Sequence, residues 1–459
     1  MSTGIDPPGS GLKHLYYGWW IVLGAVIGQF VAIGVGGQVS GVFLRPVVTD
    51  LGWTAAQFTA GTSAAFVMGG LAGFFVGPFI DRRGPRPLML VGGFTCGLSL
   101  ILISRVNHVW QFIALQMLAG GLGFALIGPL VVNVTLSKWF VLRRGWAIAI
   151  GSMGVSLAGL VMPVTMTQVV DAFGWRAGYA TMGLLVWALV IPVALIMRRS
   201  PEDYGLVPDG RREEQDPSPA QRRQLEAIRR DLANSYTRSE AARTPALWLL
   251  VVGFGLNQAA MGAMLVHAIP FVTDAHFTRA EASIGLMLTG AANLCSKFVW
   301  GWTLQRVSVR RLAACAFGAS AVGVSLIITA TRIDALPLLL AAFFVWGFGF
   351  GGTIPIGEFI WAQYFGRRNL GSVRGLGVPF TILFGSLGPI SVAVAFDRTG
   401  AYGGAFTVLV GAYVVAGLLV LASRQPPPKE PAVQPEAPPA TAPMAVADAP
   451  VAASVPSTP

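Results

Sequence analysis

The sequence predicts an all-α membrane protein with twelve transmembrane helices, arranged as two six-helix bundles that are related by a parallel pseudo-two-fold repeat. Three observations support this fold class. The composition is apolar and poor in charge, the basic residues fall in alternate loops, and the two halves of the chain match each other. Together they predict the number of spans, their orientation and their pairing.

The composition is typical of a membrane protein. Hydrophobic residues make up 54% of the 459 residues and charged residues only 12%, which is about half of the roughly 25% found in soluble domains. The apolar residues form blocks about 20 residues long, and a helix of that length crosses a hydrocarbon core of about 30 Å. This composition excludes a soluble enzyme. Three cysteines inside apolar blocks indicate neither a disulfide framework nor a metal site.

Twelve segments are long and apolar enough to span a membrane. They run over residues 17–43, 54–79, 87–104, 110–136, 146–170, 176–197, 245–272, 281–303, 312–330, 336–363, 373–396 and 403–423. If the N-terminus lies inside, 25 of the 32 Lys and Arg residues fall in inner segments and six in outer loops. This bias predicts an inner-membrane protein with both termini in the cytoplasm. It also accounts for the net charge of +11 without a nucleic-acid partner.

The spans divide the chain into five predicted regions. These are a cytoplasmic N-terminus (1–16), an N-terminal bundle (17–197), a central cytoplasmic loop (198–244), a C-terminal bundle (245–424) and a disordered Pro/Ala-rich cytoplasmic tail (425–459). In the central loop Ser218-Pro219 is a typical helix start, and Leu225, Ile228 and Leu232 recur with helical spacing. The loop is therefore predicted to contain a short amphipathic helix at the inner membrane face, with a regulatory docking site as the alternative.

The two halves of the sequence match at a nearly constant offset. The segment 46–50 recurs at 270–274 and the segment 77–82 recurs at 301–306, both 224 residues later. Trp139-Phe140 also matches Tyr364-Phe365, and Gly159-x3-Pro163-x7-Asp171-x2-Gly174 matches Gly385-x3-Pro389-x7-Asp397-x2-Gly400. Six spans per half is an even number, so both halves have the same orientation. A parallel repeat of this kind is typical of carriers that rock about a site near the membrane midplane.

A turn motif follows the second span. It reads Gly77-x3-Asp81-Arg82-x-Gly84-x-Arg86. The motif resembles the signature loop of the major facilitator superfamily, and the resemblance covers about residues 15–424. It implies that superfamily's fold and transport by alternating access. The second copy keeps Arg306 but has Gln305 in place of the acid, so the contact at the gate is expected to be weaker there.

Each part of this turn has an expected physical role. Gly77 allows two helices to approach closely. Asp81 is expected to cap a helix or to pair across the inner gate, with Arg374 at the start of span eleven as a candidate partner. The arginine cluster is expected to hold the loop on the inner side.

Further stretches resemble the monocarboxylate transporter and oxalate:formate antiporter branch of the superfamily. They are Tyr17-Gly18-Trp19-Trp20, Phe43-Leu44-x-Pro46, Leu51-Gly52-Trp53, Trp139-Phe140-x2-Arg143-Arg144-Gly145, Gly174-Trp175-Arg176 and Tyr364-Phe365-Gly366-Arg367-Arg368. This resemblance implies a small organic anion as substrate. The sequence departs from the branch in two places: Tyr17 stands where eukaryotic members have an acid, and span eleven lacks the lysine of the antiporters.

Two charged residues are predicted deep in the membrane, Lys297 in span eight and Glu358 in span ten. A charge at that depth costs about 2.5–3.5 kcal/mol on insertion scales, so each is expected to face a wet cavity or a partner. The resemblance places the family's substrate-binding arginine on Lys297 and its nearby aspartate on Asn293. Lys297 is therefore predicted to bind a carboxylate. The alternatives are a structural ion pair with Glu358 and snorkelling to the inner surface.

Other polar residues in the spans are candidates for proton coupling or for lining the cavity. Glu358 and His267 are the candidate proton-coupling residues. The ordinary histidine pKa of about 6.5 suits a proton relay. A packed histidine bonded to a backbone carbonyl is the alternative for His267. Asn133 is the repeat mate of Glu358 and is predicted to face the same cavity, as are Gln29 and Asn257.

These observations predict a secondary active transporter that is not an enzyme and that needs no cofactor, metal or phosphate-binding loop. Its predicted cargo is a small organic anion, most simply a monocarboxylate, because one fixed cation fits one carboxylate. The predicted partners are that anion, a proton and the lipid bilayer, and the predicted state is a monomer. The alternatives are an exchanger of dicarboxylates, a carrier of another solute such as a sugar or a drug, and a transporter-like receptor.

Overall fold

A computed structural model describes residues 16–35, 39–210 and 219–427, without the side chains of 219–221 and 279. Regular structure in these ranges is entirely helical. The predicted N-terminal segment 1–16 and the predicted tail 425–459 lie almost wholly outside the described residues.

Sixteen α-helices make up the described chain. They are α1 (Gly18–Val35), α2 (Ser40–Leu51), α3 (Ala55–Arg83), α4 (Pro85–Ile103), α5 (Val109–Gln116), α6 (Phe124–Ile127), α7 (Pro129–Trp139), α8 (Arg144–Ile196), α9 (Pro219–Ala233), α10 (Arg238–Ala242), α11 (Pro245–Asp274), α12 (Arg279–Thr303), α13 (Val309–Ile333), α14 (Leu336–Phe365), α15 (Leu370–Thr399) and α16 (Gly403–Ala422). A π-helical segment, Met117–Gly123, connects α5 to α6.

The helices account for the twelve predicted spans. In the described part of the chain, eleven helical runs are long and apolar enough to cross a membrane. One of them, α8, has 53 residues, which at 1.5 Å per residue is about 80 Å of helix and far more than one crossing needs. Gly174 interrupts α8 with φ 81° and ψ 165°, a conformation that only glycine adopts readily. The helix therefore supplies two spans, and the prediction of an all-helical polytopic fold is confirmed.

The fourth span differs from the single helix predicted over 110–136. A π-helical turn occupies its middle, and Gly128 then breaks the helix with an extended backbone before Pro129 starts α7. Proline is favoured in the first turn of a helix because its missing N–H would have had no partner there. The span is therefore a broken helix, and its last part, α7, carries Asn133.

The two bundles meet along two equivalent seams. In the first seam α3 packs against α15, and in the second α12 packs against α8. The repeat relates these seams, because span two pairs with span eleven just as span eight pairs with span five. Gly77 and Gly301, which are repeat mates, each lie in one of them. A Cβ on Gly77 would lie 2.2 Å from the Gly371 carbonyl oxygen, and one on Gly301 would lie 2.9 Å from Ala149 Cβ.

These close approaches lie at one end of the molecule, which we call the basic end because it carries the turns 82–86, 138–144, 306–311 and 367–374. Contact between the bundles is tight there. The described conformation is therefore closed at the basic end.

The central loop contains the predicted amphipathic helix, α9. Its predicted cap, Ser218, lies outside the described residues. Ile228 on the apolar face is 5% exposed, whereas Leu232 is 39% exposed. The helix therefore packs one side against the protein at the basic end.

Candidate substrate site and gate

Lys297 lies on the face of α12 that meets the N-terminal bundle. Asn293, one turn earlier, accepts a hydrogen bond from Ser156 Oγ on α8 at 2.8 Å. Gly301, one turn later, packs against Ala149 on the same helix. Residues four apart share a helix face, so Lys297 faces the seam between the bundles from the C-terminal side.

The Lys297 side chain is 2% exposed, and it makes no ion pair or hydrogen bond with any residue that the structure describes. A buried charge without a partner is costly, and structural charges are therefore normally paired. Snorkelling to the surface does not fit this degree of burial. The arrangement leaves an ammonium group able to bind an anion that enters between the bundles.

Glu358 has a different partner from the one considered in the sequence. Its carboxylate accepts two hydrogen bonds from Arg374 on α15, from Nε at 3.2 Å and from Nη2 at 2.8 Å. The Arg374 guanidinium also lies 5.3 Å from the centre of the Trp361 ring. The alternative of a Lys297–Glu358 ion pair is therefore wrong. Arg374 reaches Glu358 because the start of α15 lies beside the last two turns of α14.

Gln29 and Asn133 form a fully buried pair within the N-terminal bundle. Gln29 Nε2 donates to Asn133 Oδ1 at 3.2 Å. Gln29 Oε1 and Asn133 Nδ2 are left without hydrogen-bond partners in the described structure, and so is Nδ2 of the buried Asn257. Buried polar atoms rarely lack partners, so these three atoms are open to a water molecule or a ligand. None of the three residues is hydrogen-bonded to Lys297 or Glu358 within the described ranges.

The ring of His267 packs inside the C-terminal bundle. Its Nε2 lies 3.0 Å from the Pro389 carbonyl oxygen, which accepts only from a protonated nitrogen. The ring also lies 5.7 Å from the Tyr402 ring. These contacts favour the packed-histidine alternative, and the proton-coupling role of His267 stays a prediction.

Asp81 joins the two bundles at the basic end. Its Oδ1 accepts from Lys138 Nζ at 2.9 Å and from the Gly371 amide at 3.1 Å, while Oδ2 accepts from the Ser372 amide at 2.7 Å. The expected capping or pairing across the gate is present, but Arg374 is not the partner. Asp81 instead binds free N–H groups at the start of α15, where the helix dipole favours a negative charge.

The remaining motif residues lie around this contact. Gly84 forms the turn between α3 and α4 with φ 77°, which explains a glycine at this position. Arg82 and Arg86 on either side of it are exposed. In the second copy, the Arg306 guanidinium lies 4.1 Å from the centre of the Trp302 ring.

A second ionic contact at the basic end was missed in the sequence. Asp231 on α9 accepts from Arg144 Nη2 at 3.0 Å and pairs with Arg367 Nε at 3.3 Å. Arg144 belongs to the N-terminal bundle and Arg367 to the C-terminal bundle, and both side chains are 3% exposed. Arg367 also pairs with Glu202 at 2.6 Å. The available signal was two arginine pairs, one after each bundle's Trp-Phe or Tyr-Phe doublet, together with the acidic residues of the central loop.

A comparison with protein families identifies the fold. The model described as the Major Facilitator Superfamily matches residues 25–296 and 258–454, most of the chain. The chain belongs to the Major Facilitator Superfamily. As a member of this family it is a multi-pass membrane transporter, and its two seams are contacts between the two halves of the superfamily fold.

Relatives within the superfamily are distant. The oxalate:formate antiporter of Oxalobacter formigenes is 23% identical over 78% of this chain and 81% of its own length. Monocarboxylate transporter 11 of Mus musculus is 25% identical over 79% of each chain. The fujikurins efflux protein of Gibberella fujikuroi is 28% identical, but the match spans only 37% of this chain and 36% of that relative. The resemblance to the monocarboxylate and oxalate:formate branch is thereby confirmed.

Solved structures of the superfamily have the same fold. The proton:xylose symporter XylE superimposes with a TM-score of 0.67 at 14% identity, over 88% of this chain and 94% of that one. The human organic anion transporter MFSD10 superimposes with a TM-score of 0.61 at 15% identity, over 88% of this chain and all of that one. At these identities the likeness shows the fold alone.

Proposed function

We propose that this transporter moves a small organic anion, most simply a monocarboxylate, across the cell membrane by alternating access. The observation that carries the proposal is Lys297, a buried cation at the seam between the bundles with no partner in the described structure. A carboxylate would supply the missing charge and accept the ammonium N–H groups. Lysine acts as a point charge and not as a bidentate fork, which suits a small anion of variable shape.

The relatives support the same class of cargo. Two of them, matched over most of the chain, have names that specify monocarboxylates or oxalate and formate. In the described part of the seam Lys297 is one unpaired cation, which favours a monocarboxylate over a dicarboxylate. Exchange of oxalate-type anions is the second candidate, because the antiporter match covers 81% of that relative. Carriage of another small solute is the third.

We further propose proton symport with Glu358 as the coupling group. Its partner Arg374 lies on a different helix, α15, so a movement of α15 relative to α14 would break the ion pair and leave the carboxylate open to a proton. His267 is the second candidate. The proposed setting is a monomer in the inner membrane, with the basic end and both termini in the cytoplasm.

Uptake by the full chain in proteoliposomes tests the proposal. Labelled monocarboxylates, dicarboxylates and sugars are supplied in turn, with and without an inward proton gradient. We expect saturable uptake of a monocarboxylate that the gradient raises above the equilibrium level. Uptake of sugars alone would overturn the anion proposal. Exchange that requires a second anion inside and ignores the gradient would establish the antiporter instead.

A further inference from the structure

A basic pocket lies at the basic end, outside both seams. It is an open cavity of 330 Å³ between the α3–α4 turn and the end of α8. Five arginines line it, and the lining contains one acidic residue, Asp203. The arginines are Arg82, Arg83, Arg86, Arg198 and Arg199. We call this cavity the arginine pocket.

Two of these arginines are held in place by the surrounding residues. The Arg198 guanidinium lies between the rings of Tyr17 and Tyr204, at 4.7 and 4.1 Å from their centres. Arg199 donates to the Arg82 carbonyl oxygen at 2.7 Å and pairs with Asp203 at 3.0 Å. Part of the pocket wall is therefore fixed before any ligand binds, which lowers the entropic cost of binding.

The other three arginines keep free charges. Arg82, Arg83 and Arg86 are exposed and make no ion pair within the described ranges. Five guanidinium groups thus face one carboxylate. Positive charge in an inner loop serves orientation in the membrane, but that function does not require the groups to surround a cavity. A cavity of this charge is suited to a phosphate group, which guanidinium groups bind in bidentate fashion.

An exposed apolar surface continues from the pocket. The first half of α4 packs beside the last turns of α8, with Gly93 against Val190. Val91 and Phe94 on α4 and Leu195 on α8 are each more than half exposed. Val91 lies five residues beyond Arg86, about 7.5 Å along the helix. In a membrane, acyl chains cover such side chains, so the pocket opens where headgroups and acyl chains meet.

We propose that the arginine pocket binds the phosphate of an anionic phospholipid, whose acyl chains lie along the α4–α8 surface. Basic pockets between transmembrane helices at the cytoplasmic side are suited to such headgroups. A soluble phosphate would use the guanidinium groups alone, whereas a phospholipid also uses the apolar surface beside them. The site is separate from the seam that contains Lys297.

Lipid binding to the detergent-purified full chain tests the proposal by native mass spectrometry, with phosphatidylglycerol against phosphatidylcholine. We expect one phosphatidylglycerol to bind at least ten times more tightly than phosphatidylcholine, with a preference that falls as salt rises. Arg83→Gln combined with Arg86→Gln should remove most of that preference. The lysine versions of both substitutions should keep it, because the charge remains. Arg311→Gln combined with Arg424→Gln, two exposed arginines at the same end of the other bundle, is the matched control and should have no effect.

Three results would overturn the proposal. These are equal binding of the two lipids to the unaltered protein, an unchanged preference in a folded variant with Arg83→Gln and Arg86→Gln, and the same loss in the control with Arg311→Gln and Arg424→Gln. The remaining test is a competition in which inorganic phosphate is added at the same concentration as phosphatidylglycerol. If it displaces phosphatidylglycerol stoichiometrically, the pocket is a site for a soluble anion and not for a lipid.

Discussion

Replacement of Lys297 should weaken binding of the anion without destabilising the fold. Lys297→Gln removes the charge and keeps most of the side-chain length. We expect binding of the transported anion to weaken by about 1.5–3 kcal/mol, the scale of a hydrogen bond to a charged group, which is roughly ten- to a hundredfold. The free energy of unfolding should hardly fall, because no described residue loses a partner. Counterflow competition measures the affinity, and thermal unfolding checks the fold.

Lys297→Arg should retain binding, since the charge remains. Arg311→Gln removes an equal charge from an exposed position at the basic end and serves as the control for net charge. A folded Lys297→Gln variant with normal affinity would remove this residue from the binding site.

Glu358 and Arg374 form a largely buried pair, and removing either partner alone should be costly. Glu358→Gln leaves the Arg374 guanidinium, which is 19% exposed, without its carboxylate. Breaking a buried ion pair costs about 3–5 kcal/mol, and we expect the lower end of that range here. Arg374→Gln added to Glu358→Gln should restore most of the stability. Denaturant unfolding of the four proteins in a double-mutant cycle gives the coupling energy.

The combination of Lys297→Gln with Glu358→Gln is the comparison for that cycle. Its effects should simply add, because the two residues share no contact in the described structure. Recovery of stability by Lys297→Gln would mean that the carboxylate pairs with the lysine instead.

At the scale of elements, α9 lies across the basic end and contacts both bundles through Asp231. Asp231→Asn should weaken its contacts with Arg144 and Arg367 at once, so α9 should leave the surface and expose both arginines. Hydrogen exchange over residues 219–233 should rise by at least tenfold. Glu226→Gln on the same helix is the matched control, because the Glu226–Arg230 pair is largely exposed and contributes little. Equal exchange in both variants would show that Asp231 does not hold the helix.

The elements also show how far sequence reasoning reaches. Helical spacing is enough to predict α9, and apolar blocks about 20 residues long are enough to predict twelve spans, because both are local patterns in the sequence. The partners of Asp231 and Arg374 depend on which turns meet in three dimensions, and periodicity carries no such information. The break at Gly128 was missed for a similar reason, since a glycine before a proline within an apolar run is compatible with a kinked or an unbroken helix.

For the same physical reason, the sequence predicts the burial of residues in the candidate site but not their partners. Burial of Lys297 follows from its place in an apolar block, and its neighbour Asn293 follows from helix geometry. Asn133 was placed with Glu358 by the repeat alone. The structure instead gives each of them a partner from its own bundle, Gln29 for Asn133 and Arg374 for Glu358.

At the scale of the whole molecule, closure of the basic end requires a residue without a side chain at Gly77, where α3 and α15 come closest. Gly77→Ala would place a Cβ 2.2 Å from the Gly371 carbonyl oxygen, far inside normal contact, so the bundles could not close fully. We expect turnover to fall at least tenfold and a cysteine introduced at Ser372 to react faster with a soluble maleimide. Alanine normally stabilises a helix relative to glycine, so a loss of turnover in this variant would result from the clash in the seam and not from a weaker helix.

Gly318→Ala on α13 is the matched control, because nothing lies within 4 Å of the added carbon. It should transport normally. Normal turnover and labelling in Gly77→Ala would show that the seam opens and closes without this contact.

The partnerless ammonium of Lys297 has an electrical consequence. The Glu358–Arg374 pair is neutral, so in the proposed cycle the empty carrier holds one uncompensated positive charge between its bundles, and the carrier loaded with a monocarboxylate and a proton holds the same charge. A unit charge that crosses the whole membrane field gains or loses about 2.3 kcal/mol per 100 mV. Any fraction of the field that Lys297 traverses therefore acts on the loaded step and, with the opposite sign, on the return of the empty carrier. Voltage would change the rates of these two steps and leave the final accumulation ratio of the anion unaffected.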